Sequence, residues 1–355
     1  MIQAFAFNSH PARVVFGEGT IASLGDEVRR AECRRAFVLS TREQTGMANR
    51  VEKILGELAA GSFHGAVMHT PTDVTESALV QARSCNADCI VSVGGGSTTG
   101  LGKAIALRTD LPQIVVPTTY AGSEMTPILG ETRDGVKTTQ RSLKVLPETV
   151  IYDVDLTLSL PAGLSATSGI NAMAHAVEAL YARDGNPVVS LMAEESLASL
   201  ARSLPLIVKN PQDRSARSDA FYGAWLAGSC LGLVGMALHH KLCHVLGGTF
   251  NLPHAETHTV VLPYALAFNA SAAPEAAARI AKAISVSDPA AGLHDLARRL
   301  GAPTSLKALG MPEDGIERAC ELAVRDPYWN PRPFDRNDIH SLLKQAYAGA
   351  KPTGH

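Results

Sequence analysis

Five of the chain's twelve histidines fall within Met236–His258, MALHHKLCHVLGGTFNLPHAETH. Imidazole gains or loses a proton near neutral pH and also ligates divalent metals. His240 and His244 stand four apart, so a helix would place them on one face. Gly247 and Gly248 are expected to end that helix. The chain then turns through Asn251, Leu252 and Pro253 to present His254. Upstream, in GINAMAH, Asn171 and His175 repeat the four-residue spacing. Two such faces aimed into one cleft make a reasonable divalent-metal arrangement. The same residues also suit a histidine-rich interior turn in which each ring is satisfied by a backbone carbonyl.

The elements that must position these groups come in two kinds. Up to about residue 155, short β-branched runs alternate with helical segments. Ala12–Phe16, Arg35–Ser40, Gly65–Met68, Cys89–Val93, Gln113–Pro117 and Pro147–Asp155 read as strands. Thr20–Arg30, Met47–Ala60, Thr75–Cys85 and Gly100–Leu107 read as helices. This alternation predicts a parallel sheet with helices on both faces, and ligands bind such sheets outside the carboxyl ends of the strands. Residues 130–145 carry an Asp134-Gly135 turn and predict a hairpin over the sheet. From Pro161 helical periodicity takes over, in segments 165–182, 188–208, 216–247, 256–268, 272–285, 289–300, 313–324 and 335–348. The expected organisation is an α/β dinucleotide-binding domain at 1–158 and an all-α catalytic domain at 159–355.

Two strand ends are rich in small and hydroxylated residues. Cys89–Val93 runs into Gly94-Gly95-Gly96-Ser97-Thr98 and then a helix, and Gln113–Pro117 runs into Thr118-Thr119-Tyr120-Ala-Gly-Ser123. Glycines let the backbone approach a phosphate, and amides at a helix N-terminus favour an anion. The G-x-G-x-x-G fingerprint is absent. Bulk properties exclude other classes. The net charge is −2, with 46% hydrophobic and 19% charged residues, which gives no basic face for nucleic acid. Six scattered cysteines without a C-x-x-C pair fit a reduced, cytoplasmic setting. The N-terminus has no signal-peptide pattern, and no apolar run is long enough to span a bilayer.

The glycine turn, VPTTYAGSEMT, a late DVDLT…LP boundary, G-I-N-A-x-x-H-A-x-E and H-x-L-G-G…N-x-P-H together resemble the iron-dependent alcohol dehydrogenase family along nearly the whole chain. The resemblance implies an NAD(P)-binding first domain with cofactor contacts at Gly95, Gly96, Ser97, Thr98, Thr118, Thr119, Ser123 and Lys137. It implies that an Asp and three His hold a divalent metal, at positions matching Asn171, His175, His244 and His254. Asn171 supplies a carbonyl oxygen but no charge, which argues against a metal ion. With Tyr120–Pro127, Lys137-Thr-Thr and Asn330-Pro-Arg-Pro333, the chain most resembles the maleylacetate reductase branch. That implies NADH- or NADPH-dependent reduction of the alkene of maleylacetate to 3-oxoadipate in aromatic-compound breakdown, and a homodimer. His244 and His254 are then the first choices for proton transfer, with His175 and Asn171 orienting. Arg332 is the expected fork for the dicarboxylate, and Tyr120 and Tyr328 are expected to line its site. Ser40, ending the second strand before Thr41 and Arg42, is expected to read the adenosine ribose without an acid, permitting both cofactors. Cys243 is not expected to act as a nucleophile, His239 reads as structural, and Glu178 and Glu194 as solvated helix faces. The alternatives are a metal-dependent alcohol or aldehyde oxidoreductase of the same fold, a lyase like the dehydroquinate synthases, and a non-catalytic NAD sensor.

Overall fold

A computed structural model describes Phe5 and residues 7–10, 12–325 and 328–352, with the side chain of Lys137 outside that description. The chain divides into two compact units, one of them Ser9–Leu160 and the other built from Pro161 onward together with the N-terminal residues up to Asn8.

Among the described residues the first unit holds eight strands: β1 (Arg13–Gly17), β2 (Ala36–Leu39), β3 (Ala59–Phe63), β4 (Cys89–Gly94), β5 (Gln113–Pro117), β6 (Ile128–Arg133), β7 (Val136–Arg141) and β8 (Thr149–Asp153). Its helices are α1 (Leu24–Arg30), α2 (Thr45–Leu55), α3 (Thr72–Ser84) and α4 (Gly96–Thr109). Six strands form a parallel sheet in the order β1-β8-β5-β4-β2-β3. Strands β2, β4, β5 and β8 are buried along their whole length, so they read as continuous apolar runs rather than alternating ones. The strand order reverses between β2 and β4, and the open crevice of such a sheet lies at that point. Val93 pairs with Val116 and Gly94 with Pro117, which brings the glycine turn and the Thr118 loop to one level.

The hairpin is β6 against β7, an antiparallel pair of its own, turned at Asp134 and Gly135 with φ of 51° and 76°. Two expectations shift. The third strand is Ala59–Phe63 rather than Gly65–Met68, because Gly56, at φ 54°, ends the preceding helix early. Helix α4 begins at Gly96 rather than Gly100, so the glycine turn is itself its N-terminus.

The second unit is helical: α5 (Ala162–Leu180), α6 (Pro187–Lys209), α7 (Arg214–Leu233), α8 (Leu238–Phe250), α9 (His254–Ala270), α10 (Pro274–Ala283), α11 (Pro289–Arg299), α12 (Gly315–Arg325) and α13 (Arg336–Ala348). The single helix expected over 216–247 is two, α7 and α8, meeting at 95°. Carboxylates from outside the segment take the amides at the break. Asp184 accepts from Gly235 N–H at 2.9 Å, and Glu178 accepts from Ala237 N–H at 2.8 Å. At its other end α8 runs through Gly247 and Gly248 and closes at Asn251, which adopts φ 52°. Leu242, Leu246, Val261, Tyr264 and Phe268 on α8 and α9 pack with Ile316, Cys320, Ile339 and Leu343 of α12 and α13.

Behind the glycine turn, Lys103 of α4 is fully buried. Its ammonium donates to the carbonyls of Ser123, Thr126 and Ile128 at 2.6, 2.8 and 2.9 Å, and reaches Thr126 Oγ1 at 2.9 Å. These bonds tie the Thr118–Ile128 segment to α4. Burial pulls the Lys103 ammonium down to about 7, with nearby Glu124 opposing. Replacing Lys103 by Met removes the shared donor from these carbonyls and takes the buried positive charge away from Glu124. The expected loss is about 3 kcal/mol. Urea unfolding should show a lower midpoint with an unchanged slope.

Candidate active site

The sheet unit offers an anion cradle. Gly95 is the N-cap of α4 and has no side-chain cap of its own, so the first amides of the helix keep their donors for a ligand. A Cβ on Gly94 would lie 2.5 Å from Gln44 Oε1 and 2.6 Å from Thr98 Oγ1, and one on Gly95 would lie 3.1 Å from Thr119. At Gly96 there is open space within 4 Å. Thr98 Oγ1 is buried and has no hydrogen-bond partner among the described residues. Thr118 donates its N–H to Gly94 O at 3.0 Å and accepts from Gln44 Nε2 at 2.8 Å. Ser97 and Thr119 are partly exposed beside this turn, and Ser123 opens the short helix anchored by Lys103. The residues fit a dinucleotide pyrophosphate. Lys137 lies outside the description as a side chain. Ser40 does not present its hydroxyl to a ribose. It is fully buried, 2.8 Å from His64 Nδ1 and 3.0 Å from Thr41 O. Tyr120 is fully buried as well.

The helical unit gathers six histidines from α5, α8 and α9. Four are buried: His175, His239, His240 and His258. Two are exposed: His244 and His254. The inner rings are joined in two chains. In the first, Glu178 Oε2 lies 2.7 Å from His240 Nδ1, and His240 Nε2 lies 2.9 Å from His175 Nδ1. In the second, His239 Nε2 lies 2.9 Å from His258 Nδ1, with Cys243 Sγ 3.7 Å from His239 Nε2. The outer rings abut the inner ones, His254 with its centroid 4.3 Å from that of His258 and His244 6.4 Å from His240. Asn171 sits one turn before His175 on α5, buried, with Oδ1 lacking a partner among the described residues.

Glu178 is therefore not a solvated face. It is fully buried and accepts from the N–H groups of Ala237 and His239, each at 2.8 Å, besides the His240 ring. A carboxylate held against the first turn of α8 complements that helix's dipole. Glu178 is the site residue that spacing missed, and His240, which spacing paired with His244, is the one of the two that faces inward. The available signal was that Glu178 follows His175 by three residues, on the same helix face.

The expected dicarboxylate fork is not at this cluster. Arg332 stacks on Phe268, 4.1 Å from the ring centroid, and donates to Phe268 O at 3.2 Å. Phe268 is fourteen residues beyond His254 on α9, about 21 Å along the axis. The Asn330-Pro-Arg-Pro333 motif works as a clamp. Asn330 and Asn269 exchange amide bonds at 2.7 and 3.0 Å, and Asn330 accepts from Leu238 N–H at the start of α8. Tyr328 does reach the histidine helix, with Lys241 Nζ 5.3 Å from its ring centroid, and burial pushes its hydroxyl up.

Comparison with known proteins matches residues 11–154 to the iron-containing alcohol dehydrogenase model and residues 165–347 to the C-terminal model of the same family. The chain belongs to the iron-containing alcohol dehydrogenase family. Within this family it is 56% identical to the maleylacetate reductase of Rhizobium sp. strain MTP-10005, covering 99% of this chain and 100% of the relative. It is 57% identical to that of Sphingobium indicum over 98% of this chain and 99% of the relative. The crystal structure of maleylacetate reductase from Agrobacterium tumefaciens matches with a TM-score of 0.96 at 55% identity, over 99% of this chain and 100% of that one.

The iron of the family's name does not fit the donors present here. The expected positions Asn171, His175, His244 and His254 include no anionic ligand, and His240, the ring that lies against His175 in place of His244, adds none. The facing nitrogens of His175 and His240 are bonded to one another rather than converging on a common point. Glu178, the nearby carboxylate, already has its oxygens engaged by α8.

Burial, followed by the neighbouring histidines, pushes His239 and His258 well below the ordinary imidazole range. Both stay neutral in the fold while the unfolded chain binds protons below about pH 6.5. The unfolded state then holds more protons, so stability falls as pH drops through and below that value. Histidine NMR should show these two rings not titrating at pH 5.5. Replacing His258 by Asn should flatten the acid limb of a stability–pH curve.

Proposed function

We propose that this protein reduces the carbon–carbon double bond of maleylacetate with NADH or NADPH, giving 3-oxoadipate. The observation that carries the reading is the donor set at Asn171, in which an acid–base network of histidines stands where the family's metal would be held. The high identity to maleylacetate reductases over the full chain supports the same substrate.

The substrate's double bond is conjugated to a ketone. When bound, a reduced nicotinamide would supply the hydride that the carbon β to that ketone accepts. Electron density moves onto the ketone oxygen as an enolate, and a proton delivered to the α carbon completes the reduction. The first unit's glycine turn would hold the pyrophosphate on the amides of Gly95, Gly96 and Ser97. The exposed rings of His244 and His254 would donate to the enolate and supply the proton. Protonated, they would also attract the dianionic substrate. Buried His175 and the Asn171 amide would orient the outer groups. Five buried free cysteines fit a reducing, cytoplasmic setting, and the same reading makes the protein a homodimer.

NADH oxidation in the presence of maleylacetate tests the reading, and activity should survive EDTA. Full loss restored by Zn²⁺ or Fe²⁺ would return the chain to metal-dependent alcohol chemistry. Replacing His244 or His254 by Ala should lower kcat by about 10²–10⁴-fold with NADH affinity retained. Near-normal turnover in both variants removes them from the mechanism. Asn171→Asp should raise Zn²⁺ affinity, read by calorimetry.

The end of β2 bears no acid against a 2′-phosphate, Glu43 being exposed in the following short helix. NADH and NADPH should therefore differ in kcat/KM by less than about a thousandfold, roughly 4 kcal/mol. Arg42→Glu should move the ratio toward NADH by about tenfold. An unchanged ratio would show that Arg42 does not face the cofactor.

A further inference from the structure

We infer that Glu178 is a positioning residue that sets, through two rings in series, which nitrogen of His175 carries a proton. This rests on the proposed reaction only for its kinetic readout. The logic is that of donors and acceptors. Besides His240, the Glu178 oxygens face the backbone N–H groups of Ala237 and His239, so the group acts as acceptor only, in its ionised form. His240 Nδ1, 2.7 Å from Oε2, must then carry hydrogen. In the neutral ring that leaves a lone pair on His240 Nε2. His175 Nδ1, 2.9 Å away, donates to it, which leaves the lone pair of His175 on Nε2.

A proton taken up at His175 Nε2 makes an imidazolium. Its charge can move as a hydrogen-bonded proton from His175 Nδ1 to His240 Nε2, while the His240 Nδ1 proton leans toward the carboxylate. No atom is gained or lost, and the buried positive charge is matched by a buried negative one. The second chain, His239 to His258, has no carboxylate in contact, and burial holds both its rings neutral. The two chains differ in the ability to stabilise a proton although they are built from the same residue type.

Glu178→Gln isolates the effect. The amide keeps the size of the carboxylate. Its oxygen, in the place of Oε2, still accepts from Ala237 N–H and His240 Nδ1, while its NH₂ takes the place of Oε1, which faces only the His239 amide. Both tautomers are therefore kept, and what is lost is the negative charge toward which a proton on His175 leans. A carboxylate that merely shaped the site would leave kcat unchanged on this exchange. The comparison is a ¹⁵N-histidine spectrum of the full-length wild type and variant, with kcat, KM and NADH affinity measured on both. The expected result is an unprotonated His175 Nε2 in both proteins. The expected kinetic change is a fall in kcat of about 10²–10⁴-fold, with KM and NADH affinity within about threefold. Hydrogen on His240 Nε2 in the wild type, or a variant with kcat within threefold, overturns the inference. If the variant does not fold, the wild-type spectrum still decides. If the wild type fails to reduce maleylacetate, the proposed substrate is wrong and the tautomer result stands by itself, since the spectrum needs no substrate.

Discussion

An ionised carboxylate in a protein interior costs several kcal/mol unless its lone pairs are engaged. Glu178 meets that condition with backbone amides and a ring from a different helix, and much of the second unit's arrangement follows. The amides it accepts are the ones a helix leaves unpaired at its start, so the same contact caps α8 and fixes where α7 must stop. Because His239 and His240 occupy the capped turn, their rings are placed by the backbone that the carboxylate holds. Removing the negative charge would therefore act on helix geometry and on protonation together. An isosteric amide would separate the two.

The first unit is organised by a different compensation. Its sheet is a dry stack of β-branched strands whose carboxyl ends must turn without side-chain bulk, and the glycines at 94 and 95 permit this. The adjacent loop carries hydroxyls and has little core of its own. It is held from behind by the ammonium of Lys103, which gathers the backbone carbonyls of Ser123, Thr126 and Ile128. In each unit a single buried charge organises a run of loop backbone beside a site, negative against amides in one and positive against carbonyls in the other.

How far the sequence foretells this depends on where the determining contact lies. The strands at 89–94 and 113–117, the glycine turn and the later helices were legible because periodicity and turn chemistry are local. The strand at 59–63 was not, because Ala-Ala-Gly-Ser-Phe has weak β-propensity and enters the sheet only because Gly56 stops the helix before it. The break between α7 and α8 depends on carboxylates at 178 and 184, far away in sequence. Four-residue spacing put His240 and His244 on one face but could not say which faces inward. Sideways neighbours decide that, His175 and Glu178 for one and solvent for the other. Helix α5 is buried nearly all round, so no polar stripe marked the side on which Glu178 works. Arg332 shows the converse, a residue of the right type whose guanidinium is already spoken for by Phe268.

The two glycines near the end of α8 give that helix unequal halves. Each lowers helix stability by about 1 kcal/mol relative to Ala, and the end is closed by an asparagine in a left-handed conformation. The opposite end is anchored by a carboxylate. Fraying therefore begins at the His244 side, and its free-energy cost rises toward His240. A partial opening of the glycine turn at 247–250 therefore leaves the Glu178–His240–His175 connections at the anchored end closed.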